Sequence, residues 1–203
     1  MIKFPIQAKS IRTLEAQATP GAVGSGQSQA TYDIIYDTGT YTSALTTTMQ
    51  FFNAGRATQR LTNFGGRGAF PSPQYFECRA ITVDLLIPPG ATAIQDMWSL
   101  LYGTGAAGIG GPTIQLEYAN KNYGPWPLSF AHGSGGVTGF HTVTNLAFAN
   151  NSLPDGGIWL GESVTFKPNQ QFSVDITWDA ANTLAANRNI RVNLIGVLHR
   201  AVV

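Results

Sequence analysis

Over the last third of the chain, apolar and polar residues alternate in extended runs. In Gln171–Trp178, Phe172, Val174, Ile176 and Trp178 alternate with Ser173, Asp175 and Thr177, the period of two expected of a strand with one buried face. In Arg188–His199, Ile190, Val192 and Leu194 alternate with Arg191 and Asn193, and the phase changes at Gly196. A bulge or a close backbone approach is expected there. Ile158–Phe166 is a third extended run, and Lys167-Pro168-Asn169-Gln170 and the polar stretch 179–187 separate the three. A closing strand this long and apolar is expected in the middle of a sheet, because as a bare edge it would invite aggregation.

Upstream, strands are predicted over Thr31–Asp37, Ala44–Phe52 and Gln74–Ile87. The last alternates Ile81, Val83, Leu85 and Ile87 with Thr82, Asp84 and Leu86 until Pro88-Pro89-Gly90 stops it. Within Ala91–Tyr102 the period lengthens: Ile94, Met97, Trp98, Leu101 and Tyr102 recur at helical spacing, predicting one helix with these side chains on one apolar face. Strands resume at Thr113–Tyr118 and within 137–148. About eight antiparallel strands with one inserted helix predict an all-β fold, a single two-sheet sandwich of jelly-roll type. A parallel α/β architecture is disfavoured, since strands and helices do not alternate.

Residues 16–30 are low in complexity, rich in Gly, Ser, Gln, Ala and Thr, with almost nothing to bury. With the short basic and mildly apolar stretch Met1–Leu14, carrying Lys3, Lys9 and Arg12, they predict a flexible arm over 1–30 ahead of a domain at 31–203. Docking of this arm on a neighbouring subunit and a free terminus are both open readings.

Composition changes the picture in one respect. Charged residues are 11% of the 203-residue chain and glycines number 23, against a charged fraction of roughly a quarter in average soluble domains. Such a surface suits a protein that covers much of its outside with neighbours. The net charge of +1 provides no global basic field for nucleic acid. One cysteine, Cys78, excludes a disulfide-stapled scaffold and is expected in the core. There is no apolar run of 18 residues and Met1–Ser10 lacks a signal-peptide core, so a soluble chain made in a cytoplasm is expected.

Candidate chemistry is thin. Gly103-Thr104-Gly105-Ala106-Ala107-Gly108 matches the spacing of a dinucleotide fingerprint, but helix and strand stand in the reverse order and no acid follows at the ribose position. It reads instead as a loop that opens with a helix C-cap. His132, His141 and His199 lack metal-ligand spacing. Ser134 lacks the nucleophile elbow. Asp155, Glu162, Asp175 and Asp179 could supply a glycosidase pair, although Asp175 and Asp179 fit as solvent-facing strand and turn residues. Asn150-Asn151-Ser152 is a glycosylation acceptor only in a secreted chain. No cofactor, no metal and no catalytic residue is therefore expected.

Two clusters are candidates for interface or ligand contacts. Arg56, Arg60 and Arg67, with Arg79, form the local excess of positive charge, suited to acidic groups of a neighbour or to packaged nucleic acid, and equally to plain loop solubility. Trp126, between Pro125 and Pro127 and near Tyr123, is a sugar-stacking platform, an interface anchor or a core side chain.

The order Trp159-Leu160, Phe166-Lys167-Pro168-Asn169-Gln170-Gln171-Phe172-Ser173-Val174-Asp175-Ile176, then Ile190 to Arg200, resembles the closing strands of jelly-roll capsid proteins of tailless bacterial viruses, including those that enclose a membrane. The resemblance covers about the last 45 residues. It implies a virion shell subunit whose two four-stranded sheets pack face to face and whose loops and N-terminal arm contact other subunits. The chain is far too short for two jelly rolls, so a single-barrel shell, vertex or minor capsid protein is expected. Its expected partners are copies of itself and other capsid proteins, with packaged nucleic acid or an internal membrane as further contacts. The alternatives are a carbohydrate-binding jelly roll using Trp126, Tyr123 and Trp159, and, more weakly, a glycoside-cleaving enzyme on the same scaffold.

Overall fold

The computed structural model describes residues 28–53, 61–65, 68–86, 93–103, 111–132 and 157–201. In chain order the elements are β1 (Ser28–Tyr41), β2 (Thr48–Phe51), β3 (Tyr75–Leu86), α1 (Ala93–Tyr102), β4 (Thr113–Tyr118), β5 (Lys121–Pro127), α2 (Leu128–Ala131), β6 (Ile158–Phe166), β7 (Phe172–Thr177) and β8 (Arg188–Ala201). The chain is an all-β sandwich of two four-stranded antiparallel sheets, ordered β1-β8-β3-β6 and β2-β7-β4-β5. Pairing is nested: β1 joins β8, β2 joins β7, β3 joins β6 and β4 joins β5, while β3·β8 and β4·β7 complete the sheets. The strand expected within 137–148 lies outside the described residues.

The closing strand β8 sits between β1 and β3, so its apolar run is central as expected. Its alternation does not change phase at Gly196, however. Leu194, Gly196 and Leu198 stand opposite Ile81, Cys78 and Phe76, all buried, and the extra residue lies in β3, where Arg79 bulges between Cys78 and Ala80. Gly196 is required by the close approach that this bulge creates: an added Cβ would lie 2.0 Å from the Glu77 carbonyl oxygen and 2.9 Å from Phe76 Cζ.

Inward residues of both sheets merge in one core. At its centre Phe166 of the first sheet stacks on Phe172 of the second, centroids 4.5 Å apart, and Phe70 lies against Phe76, Phe166 and Phe172. Phe64 and Phe52 extend this cluster along Phe172. Each such pair contributes about 0.5–1.5 kcal/mol beyond area burial, so the aromatic layer adds to the aliphatic burial that holds the two sheets face to face. Cys78 is buried among these side chains and its thiol pKa is pushed up to about 12 by desolvation, as a core position requires.

The helix forms where expected but presents a different face. Asp96, Ser99, Leu100 and Leu101 are buried, whereas Trp98 and Tyr102 are exposed and lie against each other. The cause is polar: Asp96 accepts hydrogen bonds from Arg188 Nε at 2.7 Å and from the Ala185 N–H at 3.0 Å, and the carbonyls of Ser99 and Leu100 accept from Asn182 Nδ2 and Trp178 Nε1. These bonds lock α1 onto the connection between β7 and β8 more strongly than the aromatic spacing could turn it. The helix ends at Gly103, whose φ is +79° and whose N–H donates to the Ser99 carbonyl, the left-handed cap expected from the sequence. Residues 104–110 lie outside the described set.

Candidate functional site

A cleft of about 550 Å³ opens between β5 and β6, the edge strands of the two sheets. Both walls arise from departures from regular pairing. Ala119 and Asn120 both take positive φ, making the two-residue turn that joins β4 to β5. Beyond it, Tyr123 pairs with Leu116 and Trp126 with Ile114, so Gly124 and Pro125 oppose the single residue Gln115. In a regular strand, residues three apart point to opposite faces. The bulge instead brings Tyr123 and Trp126 to one face, half-buried against the end of the core.

Gly124 is required for that arrangement. Its φ is +99°, and an added Cβ would lie 2.8 Å from Cε3 of the Trp126 indole and 3.1 Å from Cδ2 and Cζ3. The indole therefore folds flat over the Gly124 backbone, space that any side chain would take. The opposite wall is β6, where Trp159 pairs with Ala80 and Val164 with Cys78. Five steps of β6 thus answer two of β3, and Leu160, Gly161, Glu162 and Ser163 are extruded along the edge. Trp159 stands on the rim, 52% exposed. Tyr118 lies at the back, its hydroxyl accepting from the Lys167 N–H at 2.9 Å and donating to Gln170 Oε1. Among the described residues Glu162 is the one charged side chain of the lining, and Ser163 and Thr165 add hydroxyls.

The structure thus brings Tyr123, Trp126 and Trp159 together, as the sugar-binding alternative expects, while leaving Trp126 at the margin of the core rather than inside it. The arginine cluster cannot be placed: Arg56, Arg60 and Arg67 lie outside the described residues, and Arg79 is an exposed bulge residue 3.8 Å from Glu77. Ser134, His141, Asp155 and Asn150–Ser152 also lie outside them. His132 is buried at a bridge to Val83, and its pKa is lowered by desolvation against the opposing pull of Asp84. His199 stacks on Tyr75 at 4.1 Å and meets Glu77 at 3.3 Å, on the outer face of the first sheet.

The outer faces of the two sheets differ in chemistry. On the second, Gln50, Glu117, Ser173 and Asp175 line a polar surface beside a cleft of about 750 Å³. The Asp175 pKa is raised, first by partial burial and then by the nearby Glu117, with the Gln50 hydrogen bond opposing. On the first, Tyr32 and Ile34 are 60% and 45% exposed and pair with Val197 and Ile195 of β8. The β1 edge beside them is occupied: Asn63 Oδ1 accepts from the Tyr36 N–H and Asn63 Nδ2 donates to the Ile34 carbonyl, both at 2.7 Å.

Among the described residues no group of three or more His, Cys, Asp or Glu is placed to hold a metal ion, and no helix is long and apolar enough to cross a membrane. No protein-family model, no curated protein and no solved structure matches this chain.

Proposed function

We propose that the chain is a virion structural protein, a single jelly-roll subunit of a shell or vertex that assembles with copies of itself and with other capsid proteins. The nested pairing supports the barrel assignment: an antiparallel ribbon in which strand n meets strand 9 − n, rolled so that the pairs fall alternately into two sheets, produces the observed orders. The observation that carries the assembly is the outer face of the β1-β8-β3-β6 sheet. Tyr32, Ile34 and Ile195 stand where an isolated antiparallel sandwich carries polar side chains. With so little charge in the chain, two such faces meet without stripping water from many ions. The exposed Trp98, Tyr102 and Phe130 of the two helices provide further apolar contact area for a second neighbour. Packaged nucleic acid, met by Arg56, Arg60 and Arg67, and an internal membrane are further contacts in this reading.

Sedimentation velocity and electron microscopy of the full chain over rising concentration test this reading. Closed particles or rings are expected, and Ile34→Lys should abolish them while leaving the melting temperature within a few degrees of the parent. A chain that stays monomeric at every concentration, alone and with co-expressed shell proteins, refutes it.

A further inference from the structure

We infer that the cleft between β5 and β6 is a binding site for a neutral saccharide, an inference separate from the assembly reading because its lining shares no residue with the faces that reading uses. A pyranose ring presents an apolar plate of C–H groups and a rim of hydroxyls. The cleft matches both: Trp126 and Trp159 supply flat apolar surfaces, and Glu162, Ser163, Thr165 and Tyr123 supply acceptors and donors around them. Its volume, about 550 Å³, falls within the roughly 300–1,000 Å³ usual for small-molecule sites.

The charge of the lining selects the ligand class. Among the described residues no lysine, arginine or histidine faces the cleft, and Glu162 repels anions, so phosphates, acidic sugars and nucleic acid are disfavoured.

Two features argue that the site is set before ligand arrives. The Trp126 indole is seated on Gly124, where an added Cβ would collide with it, and Tyr123 and Leu160 pack against the core behind it. A plate fixed in this way loses little side-chain entropy on binding. The extruded β6 segment brings Glu162 to the same opening without a turn of its own.

The test titrates the full chain, at concentrations below self-association, with glucose, galactose, mannose and N-acetylglucosamine and their linear tri- to pentasaccharides, followed by tryptophan fluorescence and calorimetry into the millimolar range. At least one neutral oligosaccharide should bind, and Trp126→Ala and Trp159→Ala should each weaken it at least about tenfold. Gly124→Ala should weaken it too, by displacing the indole, whereas Trp98→Ala on α1 should not. Should Trp126→Ala fail to fold, Trp159→Ala and Glu162→Gln, both at exposed positions, carry the same expectation. Absence of binding by every neutral saccharide, binding unchanged by Trp159→Ala and Glu162→Gln, or a preference for tetramethylammonium or choline over all sugars would overturn the assignment. These readouts are separate from particle formation, so failure here leaves the shell reading standing, and the reverse.

Discussion

Replacing Gly196 by alanine puts a methyl group into the tightest point of the β1-β8-β3-β6 sheet. The new Cβ would lie 2.0 Å from the Glu77 carbonyl oxygen, 2.9 Å from the Glu77 carbonyl carbon and 2.9 Å from Phe76 Cζ. The first two are backbone atoms of a paired strand, so no side-chain rotation relieves the contact. Relief requires β3 to move away from β8, lengthening the ladder bonds on either side of the Arg79 bulge and opening the core beside Phe76. Overpacking of a well-filled core costs about 1–3 kcal/mol, and a clash against backbone belongs at the upper end. Removing a glycine returns about 0.5–1 kcal/mol by restricting the unfolded chain. A net loss of about 2–2.5 kcal/mol remains, which for a domain of this length is a fall in Tm of about 4–10 °C. Gly161→Ala is the matched control, because nothing lies within 4 Å of an added Cβ there. Urea denaturation followed by tryptophan fluorescence measures both. A Gly196→Ala midpoint indistinguishable from that of the parent refutes the close approach, and with it the placement of the bulge.

Two further predictions concern protonation. Because burial holds the Cys78 thiol near 12, against an ordinary value of 9.0, the folded state keeps a proton that the unfolded state releases. Stability contributed by the neutral thiol is therefore complete below pH 9 and declines above it, by up to about 1.4 kcal/mol per pH unit. Between pH 9 and 10 Cys78→Ala should flatten the decline, and thiol labelling of the parent should require unfolding. Asp175 has its pKa raised above 3.8, so it too favours the protonated form when folded: its contribution is present below about pH 4 and lost as pH rises through the folded value. Asp175→Asn should consequently stabilise the protein at pH 7 and show no gain at pH 3. Equal destabilisation at both values would refute that sign.

Much of the sandwich was legible because burial of one face stamps a period of two on a strand. Phe172, Val174 and Ile176 in β7, and Ile190, Val192 and Leu194 in β8, are all buried as their alternation requires. β5 was not legible. Its turn is Ala119-Asn120 rather than Asn-Gly, and its seven residues include one glycine and two prolines, which a central strand rejects and an edge strand tolerates. The face of α1 was misread because Asp96 and Ser99 are buried through partners, Arg188, Ala185 and Asn182, about ninety residues away. Glycine at 196 signalled a close approach, but the sequence held no sign of which strand carried the extra residue. The aromatic members of the cleft were each visible singly; their convergence depends on two bulges that leave no periodic trace.

The cleft and the protection of the sheet edges have one physical origin. Every open sheet must end, and an unmodified end offers a row of backbone donors and acceptors to any other strand. This fold closes the β1 edge by fitting the Asn63 carboxamide between Ile34 and Tyr36, which leaves that side regular. At the other end it breaks the pairing pattern, with Gly124, Pro125 and Pro127 in β5 and with the extruded Leu160–Ser163 segment in β6. Irregular edges template a further strand poorly, and they also fail to cover the inner-face residues beside them, so Tyr123 and Trp126 stay half-buried, with no strand beyond them among the described residues. With the β1, β5 and β6 edges interrupted in this way, the association proposed above draws on the faces and the exposed helices rather than on addition of a strand at those edges. The proposed assembly face at Ile34 and Tyr32 and the proposed saccharide cleft at Trp126 and Trp159 lie on opposite sides of β3 and β8. Substitutions can therefore test the two proposals one at a time.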